Sequence, residues 1–370
     1  MEFDFGVPQF QLIFQPLMLM VAAGVGLVVA RVYAGPGAAL GAAGFFILLR
    51  GGLALLVGPV LGQTTPHFPL YLAEAAVVEA VALFVSTRKP LRFGLVSGIG
   101  IGTVGLAAEW VWSLIWMPLP WPDAAFPEAA VVGLAAAIAG ATIGAWIGTH
   151  LSAEPAKRSP QLRGAALCSA AVLAALVAYG LYTPTQEGVN ARVALHDVGG
   201  STGREVQATV RIDPPDAAAD AEWFDATAWQ GGGLVVDPLK RIAPGVYRTS
   251  EPIPVHGNWK AMIRLHDGNS LTALPIFLPR DAAIPVGETP AAAHFTRSFG
   301  DEHQLLQREQ KGGSPLLVAI AYSTVAGIAL SLLALLAWAL HRLSVGLRPS
   351  PRRRRLRLRS LPGFQPGGGR

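Results

Sequence analysis

The chain of 370 residues is 52% hydrophobic and only 14% charged, with a mean hydropathy of +0.42. Soluble domains carry about 25% charged residues, so the composition points to the membrane. The formal net charge of +5 is concentrated in one tail, where PRRRRLRLR at Pro351 to Arg359 holds six arginines, and this argues against nucleic acid as a partner.

Taken in chain order, the N-terminus MEFDFGVPQF is acidic and has neither a basic n-region nor a small-residue cleavage site, so no removable signal peptide is expected. A bilayer core takes about 20 predominantly apolar residues. Seven stretches reach that length, at 11–32, 38–61, 68–86, 92–117, 129–151, 163–182 and 315–341. The loops STRKPLR (86–92) and AEPAKRSPQLR (153–163) are basic, whereas 62–67 and 118–128 contain no Lys or Arg. The positive-inside rule then predicts a multi-pass plasma-membrane protein with its N-terminus outside and its C-terminus cytoplasmic. Arg352, Arg353, Arg354 and Arg355 open a cytoplasmic tail expected to bind anionic lipids.

Four ionisable residues interrupt the predicted spans: Arg50 in the second, Glu74 and Glu79 in the third, and Glu109 in the fourth. Each costs at least about 2.5–3.5 kcal/mol on insertion scales, so such residues turn inward and find partners. By helical rise, Arg50 and Glu79 share a depth of about 16 Å, Glu109 about 12 Å and Glu74 about 9 Å. An Arg50–Glu79 ion pair is the simplest expectation. Glu74 is about 140° around the helix from Glu79, so it turns toward Glu109 instead. Two close carboxyls in a low dielectric share a proton or a cation. His67, just outside the span, is placed to close a site with Glu74 and Glu109 for a proton, copper, zinc or another small cation.

Gly94, Gly98 and Gly102, and again Gly140, Gly144 and Gly148, recur every fourth residue. Such stripes let helix backbones approach closely, within the chain or against another membrane protein. Trp110, Trp112, Trp116 and Trp121 are expected to form an interfacial aromatic belt. The single cysteine, Cys168, allows no intrachain disulfide.

Between the sixth and seventh spans the pattern changes to period two. EVQATVRI sets Val206, Ala208, Val210 and Ile212 against polar neighbours, the signature of half-buried antiparallel strands. Seven strands are predicted, near 191–197, 205–212, 221–229, 233–237, 245–250, 258–266 and 271–278. The fold class that follows is an α-helical polytopic membrane bundle of about seven spans with an inserted all-β, immunoglobulin-like sandwich over 183–281. Residues 282–314 show no strand pattern and are expected to be a linker with a short amphipathic helix. The external histidines are His196, His256, His266, His294 and His303, and the HDVGG and HDG sequences suggest solvated turns for His196 and His266.

The run GVYRTSEPIPVHGNWKAMIRL, with Gly245, Tyr247, Gly257 and Trp259, resembles the G-x-Y…G-x-W hairpin of the FixH and YtkA-like families of bacterial envelope domains. That resemblance implies a membrane-attached β-sandwich associated with copper handling or cytochrome oxidase assembly. The chain departs from a copper site in lacking a Met or Cys cluster, Met262 being the one methionine in the domain. No GxSxG, HExxH, CxxC or P-loop pattern occurs, so an enzyme is not expected. Two functions follow as expectations: an envelope accessory protein for metal handling, or a secondary transporter or ion-coupled channel using Arg50, Glu74, Glu79 and Glu109.

Overall fold

Apolar sequence rich in Ala, Gly and Leu folds into long helices, and two prolines decide where one of them fails to form. The computed structural model describes residues 10–62, 65–117, 120–152, 160–199, 203–230, 233–280, 287–306 and parts of 314–331. The chain divides into two units, Met1–Gly148 with Ser159–Gly312, and Thr149–Arg158 with Gly313–Arg370. The first contains the helices and strands described below, apart from Thr149–Leu151. Helix α1 is Phe14–Ala34, α2 is Ala38–Val60, α3 is Leu72–Phe84, α4 is Pro90–Trp116, α5 is Phe126–Leu151 and α6 is Pro160–Leu181. Helix α2 ends in a π turn at Leu56–Val60, and α4 contains another at Ile101–Gly105.

Five of these helices, all but α3, are long and apolar enough to cross a membrane. The third predicted span is only partly helical: α3 has 13 residues, about 20 Å of helix, and 65–70 is non-helical. Pro66 and Pro69 explain this, because each lacks an N–H and disfavours helical backbone in the residue before it. Predicted span 315–341 and the Arg352–Arg355 tail fall largely or wholly outside the described residues.

Both glycine stripes pack within the chain, around α5. A Cβ at Gly140 would lie 2.9 Å from the Val21 carbonyl oxygen of α1, and one at Gly98 would lie 2.5 Å from Ile138 Cα of α5. The chain's own helices therefore occupy these faces. Helix α2 buries little beyond Ala39, Ala43 and Ala54 and exposes Phe45, Leu48, Leu49 and Leu53, as a helix facing lipid would. Of the four tryptophans expected in a belt, Trp110 and Trp121 are buried, their rings 5.0 Å apart, and Trp112 and Trp116 are half-buried.

The sandwich comprises β1 (Asn190–Asp197), β2 (Glu205–Asp213), β3 (Trp223–Gln230), β4 (Gly233–Pro238), β5 (Lys240–Ala243), β6 (Val246–Arg248), β7 (Ile253–Pro254), β8 (Lys260–Asp267), β9 (Ser270–Phe277), β10 (His294–Ser298) and β11 (Gly300–Asp301). Short helix α7, Glu302–Leu306, follows. One antiparallel sheet has the order β10-β1-β2-β6-β5, with β7 also pairing β2, and the other has the order β11-β9-β8-β3-β4. Each predicted strand is present, and Val206, Ala208, Val210 and Ile212 enter the core as their alternation requires.

Two expectations change here. The 282–314 linker contains β10, paired with β1 from Asn190↔Ser298 to Ala194↔His294, so the sandwich continues past 281. Its period is hidden because Arg297 takes a half-buried position, stacking over Phe295 and donating to the carbonyls of Pro275 and Pro290. The GVYRTSEPIPVHGNWKAMIRL run is not one hairpin: β6 lies in the first sheet and β8 in the second. Gly245 and Gly257 do take positive φ, +65° and +58°, and the Tyr247 hydroxyl donates to the Ala218 carbonyl at 3.2 Å.

The second sheet is buried on both faces. Its inner face supplies Phe224, Ala226, Ala261, Ile263 and Leu265 to the sandwich core. From its outer face Trp223 joins the bundle's apolar core together with Trp110 and Trp121. Gln11 Nε2, just before α1, donates to the carbonyls of Tyr179 and Tyr182 at the end of α6.

Candidate functional site in the helical bundle

Non-helical backbone among apolar helices leaves donors and acceptors that must be satisfied. One face of α4 satisfies them. Trp112 Nε1 donates to the Phe68 carbonyl at 2.8 Å, and Trp116 Nε1 to the Pro66 carbonyl at 3.0 Å. The backbone N–H groups of Leu70 and Tyr71 donate to Glu109 Oε1 at 2.8 and 2.7 Å. Glu109, Trp112 and Trp116 are spaced three and four apart, which aligns them along one helix face. Tyr71, the residue before α3, takes a φ of +56° and has no side-chain cap of its own. Glu109 fills that role from a different helix, with its carboxyl at the positive end of the α3 dipole.

Glu74 occupies the first turn of α3 and is 0% exposed. In a capping box an acid at this position would bond back to the residue before the helix, but Glu109 already holds the Tyr71 N–H. Glu74 instead packs against α4 at the end of the π turn, where a Cβ at Gly105 would stand 2.5 Å from Glu74 Cγ. Gly105 and Glu109 are four residues apart, so Glu74 meets the same face that carries Glu109. Neither oxygen of Glu74, nor Glu109 Oε2, has a hydrogen-bond partner among the described residues. His67 is also buried, and both its ring nitrogens are unpartnered among the described residues. It lies within electrostatic range of Arg50. Among the described residues no three His, Cys, Asp or Glu side chains are grouped to hold a metal ion. His67, Glu74 and Glu109 thus do not form the ligand set expected for copper or zinc.

The Arg50–Glu79 pair is replaced by another. Glu79 Oε2 lies 2.8 Å from Arg31 Nε of α1, an ion pair in which the N–H is not aimed along a hydrogen bond. Glu79 Oε1 accepts from the Ala39 N–H at 3.0 Å. The non-helical lead-in is the cause: 65–71 does not follow helical rise, so α3 starts later and at another depth than a helix begun at 68 would. This carries Glu79 down to the start of α2, and Arg50 stands 11 residues further along that helix, about 16 Å away.

A second buried polar cluster lies where the sandwich meets the bundle. Arg264 on β8 pairs with Glu302 of α7, and His266 Nε2 is 2.6 Å from Glu302 Oε2, with each side chain at most 1% exposed. The Trp223 ring covers the cluster, 5.5 Å from the His266 ring. Burial acts to raise the Glu302 carboxyl, but Arg264 and His266 outweigh it and hold the group well below the carboxylate range. Burial lowers His266 below its ordinary value despite Glu302, so the imidazole is neutral and donates to the carboxylate. Burial likewise pushes Asp225 up to about 7, against the pull of Arg264.

His266 is therefore no solvated turn residue, although Asp267 beside it is exposed. His196 is exposed, and its neighbour Asp197 pairs with Arg204 at 2.8 Å. The sequence signal for the cluster was the alternation in β8, which puts Arg264 and His266 on one face with Met262; Glu302 gave none. No family model, curated protein or solved structure matches the chain.

Proposed function

We propose that this is a multi-pass membrane protein that moves protons across the bilayer, oriented with its sandwich outside, in which Glu74 carries the proton. The observation behind this reading is a fully buried carboxyl with both oxygens unpartnered among the described residues, beside a second carboxyl. Two carboxyls in one low-dielectric site do not both ionise, so the pair holds a proton. Glu109 is tied to the Leu70 and Tyr71 N–H groups and acts as the fixed, ionised member. Glu74, free of such bonds, is the member that gains and loses the proton. A half-length helix entered by non-helical backbone is also how transporters build ion sites within the bilayer. The π turn at Ile101–Gly105 beside Glu74 adds a helix irregularity of the kind found at functional sites. The immunoglobulin-like sandwich serves as an external cover. A metal-handling role would need a ligand set that the described residues do not bring together.

The test is proton flux into liposomes containing a pH-sensitive dye. The wild-type protein is expected to carry protons down an imposed gradient, and Glu74→Gln to reduce the rate to that of protein-free liposomes while melting at an unchanged temperature. Wild-type flux equal to that of empty liposomes, or equal flux in the variant, overturns the reading.

A further inference from the structure

Arg50 lies in one of the helices long enough to cross a membrane, and the proton site makes no use of it. The acid expected to balance it, Glu79, is taken by Arg31 of α1. Arg50 is half-buried on α2, one residue before Gly51, where a Cβ would lie 3.4 Å from the Phe68 ring. Two turns further along α2, a Cβ at Gly58 would lie 3.2 Å from Thr65 Cα. The lead-in to α3 thus runs back along α2, with His67 between these two contacts. Among the described residues the charge that acts on His67 is that of Arg50 rather than of any acid.

His67 is 2% exposed, and neither ring nitrogen has a hydrogen-bond partner among the described residues. Its neighbours hold it there: Trp116 Nε1 donates to the Pro66 carbonyl and Trp112 Nε1 to the Phe68 carbonyl. Both indoles also meet the Phe68 ring edge-on, at 5.3 and 6.0 Å. Burying a polar ring without partners is costly, and a ligand that meets it offsets the cost. The charges decide which ligand. A cation would need carboxylates around it and is repelled by Arg50. An anion is drawn by the guanidinium, and an imidazole in either protonation state donates at least one N–H to it. One fixed charge among apolar helices balances one negative charge, so a divalent anion would bury charge without compensation. We infer that Arg50 and His67 hold a small monovalent anion, a halide or a short carboxylate, which crosses the bilayer with the proton. The binding stands on this geometry, while the crossing rests on the Glu74 reading. The segment that carries His67 leads directly into Tyr71 and Glu74, so one stretch of chain links the two sites.

Binding is measured on the full-length protein in detergent, with sulfate as the background anion and bromide, a heavy-atom quencher of indole, as the probe. Trp112 and Trp116 flank His67, so bound bromide is expected to add a saturable component to the quenching of tryptophan emission. Collisions with exposed indoles give only a linear one. His67→Phe is expected to weaken the saturable component about tenfold or more, the scale of one lost charged hydrogen bond, and to melt no lower than the wild type in sulfate. Arg50→Gln is expected to weaken it likewise. Glu74→Gln is expected to lose proton flux and keep the bromide component, which separates failure of the anion site from failure of the proton site. Displacement of bromide by chloride or by acetate supports the inference and shows which chemistry the site prefers. In dye-loaded liposomes with the potential clamped by valinomycin, wild-type proton flux is expected to fall severalfold when sulfate replaces bromide outside. Purely linear quenching, or a saturable component unchanged in either anion-site variant, overturns the site; equal flux in sulfate and bromide overturns the crossing.

Discussion

Glu302 shows how much one carboxylate can hold in place. It neutralises Arg264, accepts from His266 and is 1% exposed. Removing it strands a buried guanidinium, so Glu302→Gln is expected to cost about 3–5 kcal/mol in unfolding free energy. The pH sign follows from the direction of each shift. Glu302 is depressed from 4.5 to about 2, so its contribution is full above pH 4.5 and is lost as pH falls toward 2. His266, lowered from 6.5, adds a loss of the same sign as pH falls below 6.5. Asp225 opposes both, because its raised value means that stability declines as pH rises from 3.8 to about 7. Melting curves of the detergent-solubilised protein should therefore show an acid limb between pH 4.5 and 2 that is shallower in Glu302→Gln; an identical limb in the variant would exclude this assignment.

At the scale of elements, the bundle depends on close backbone approach at glycine and on one helix face that serves a non-helical segment. Gly98→Ala would push a methyl to within 2.5 Å of Ile138 Cα, and overpacking of this kind costs about 1–3 kcal/mol. Gly26→Ala meets nothing within 4 Å and should be neutral or slightly stabilising through helix propensity. Thermal unfolding of the two variants in one detergent checks the contrast, and equal melting temperatures would refute it. The glycine spacing of four is legible in the sequence itself. So is the 109, 112, 116 spacing, but its meaning depends on knowing that 65–70 is non-helical and needs partners. The prolines at 66 and 69 carry that information, and hydropathy averaged over the span conceals it.

At the scale of the molecule, the sandwich and the bundle share an apolar seam through Trp223. A fragment covering 188–306 is expected to expose this tryptophan, with red-shifted fluorescence and self-association that Trp223→Gln relieves. A monomeric fragment with blue-shifted Trp223 emission would show that the seam is not needed to bury it.

Composition and period alone determined that the chain has runs long and apolar enough to cross a membrane, that these runs are helices and that alternating strands form a separate region. These are properties of local sequence, since burial of an apolar stretch or of one strand face is written in consecutive residues. Only the tertiary structure decided which charges meet. Arg31 rather than Arg50 reaches Glu79, and Glu302 crosses to Arg264 and His266 from a segment without a visible pattern. Partner choice depends on depth and facing in three dimensions, and a few non-helical residues ahead of a helix change both.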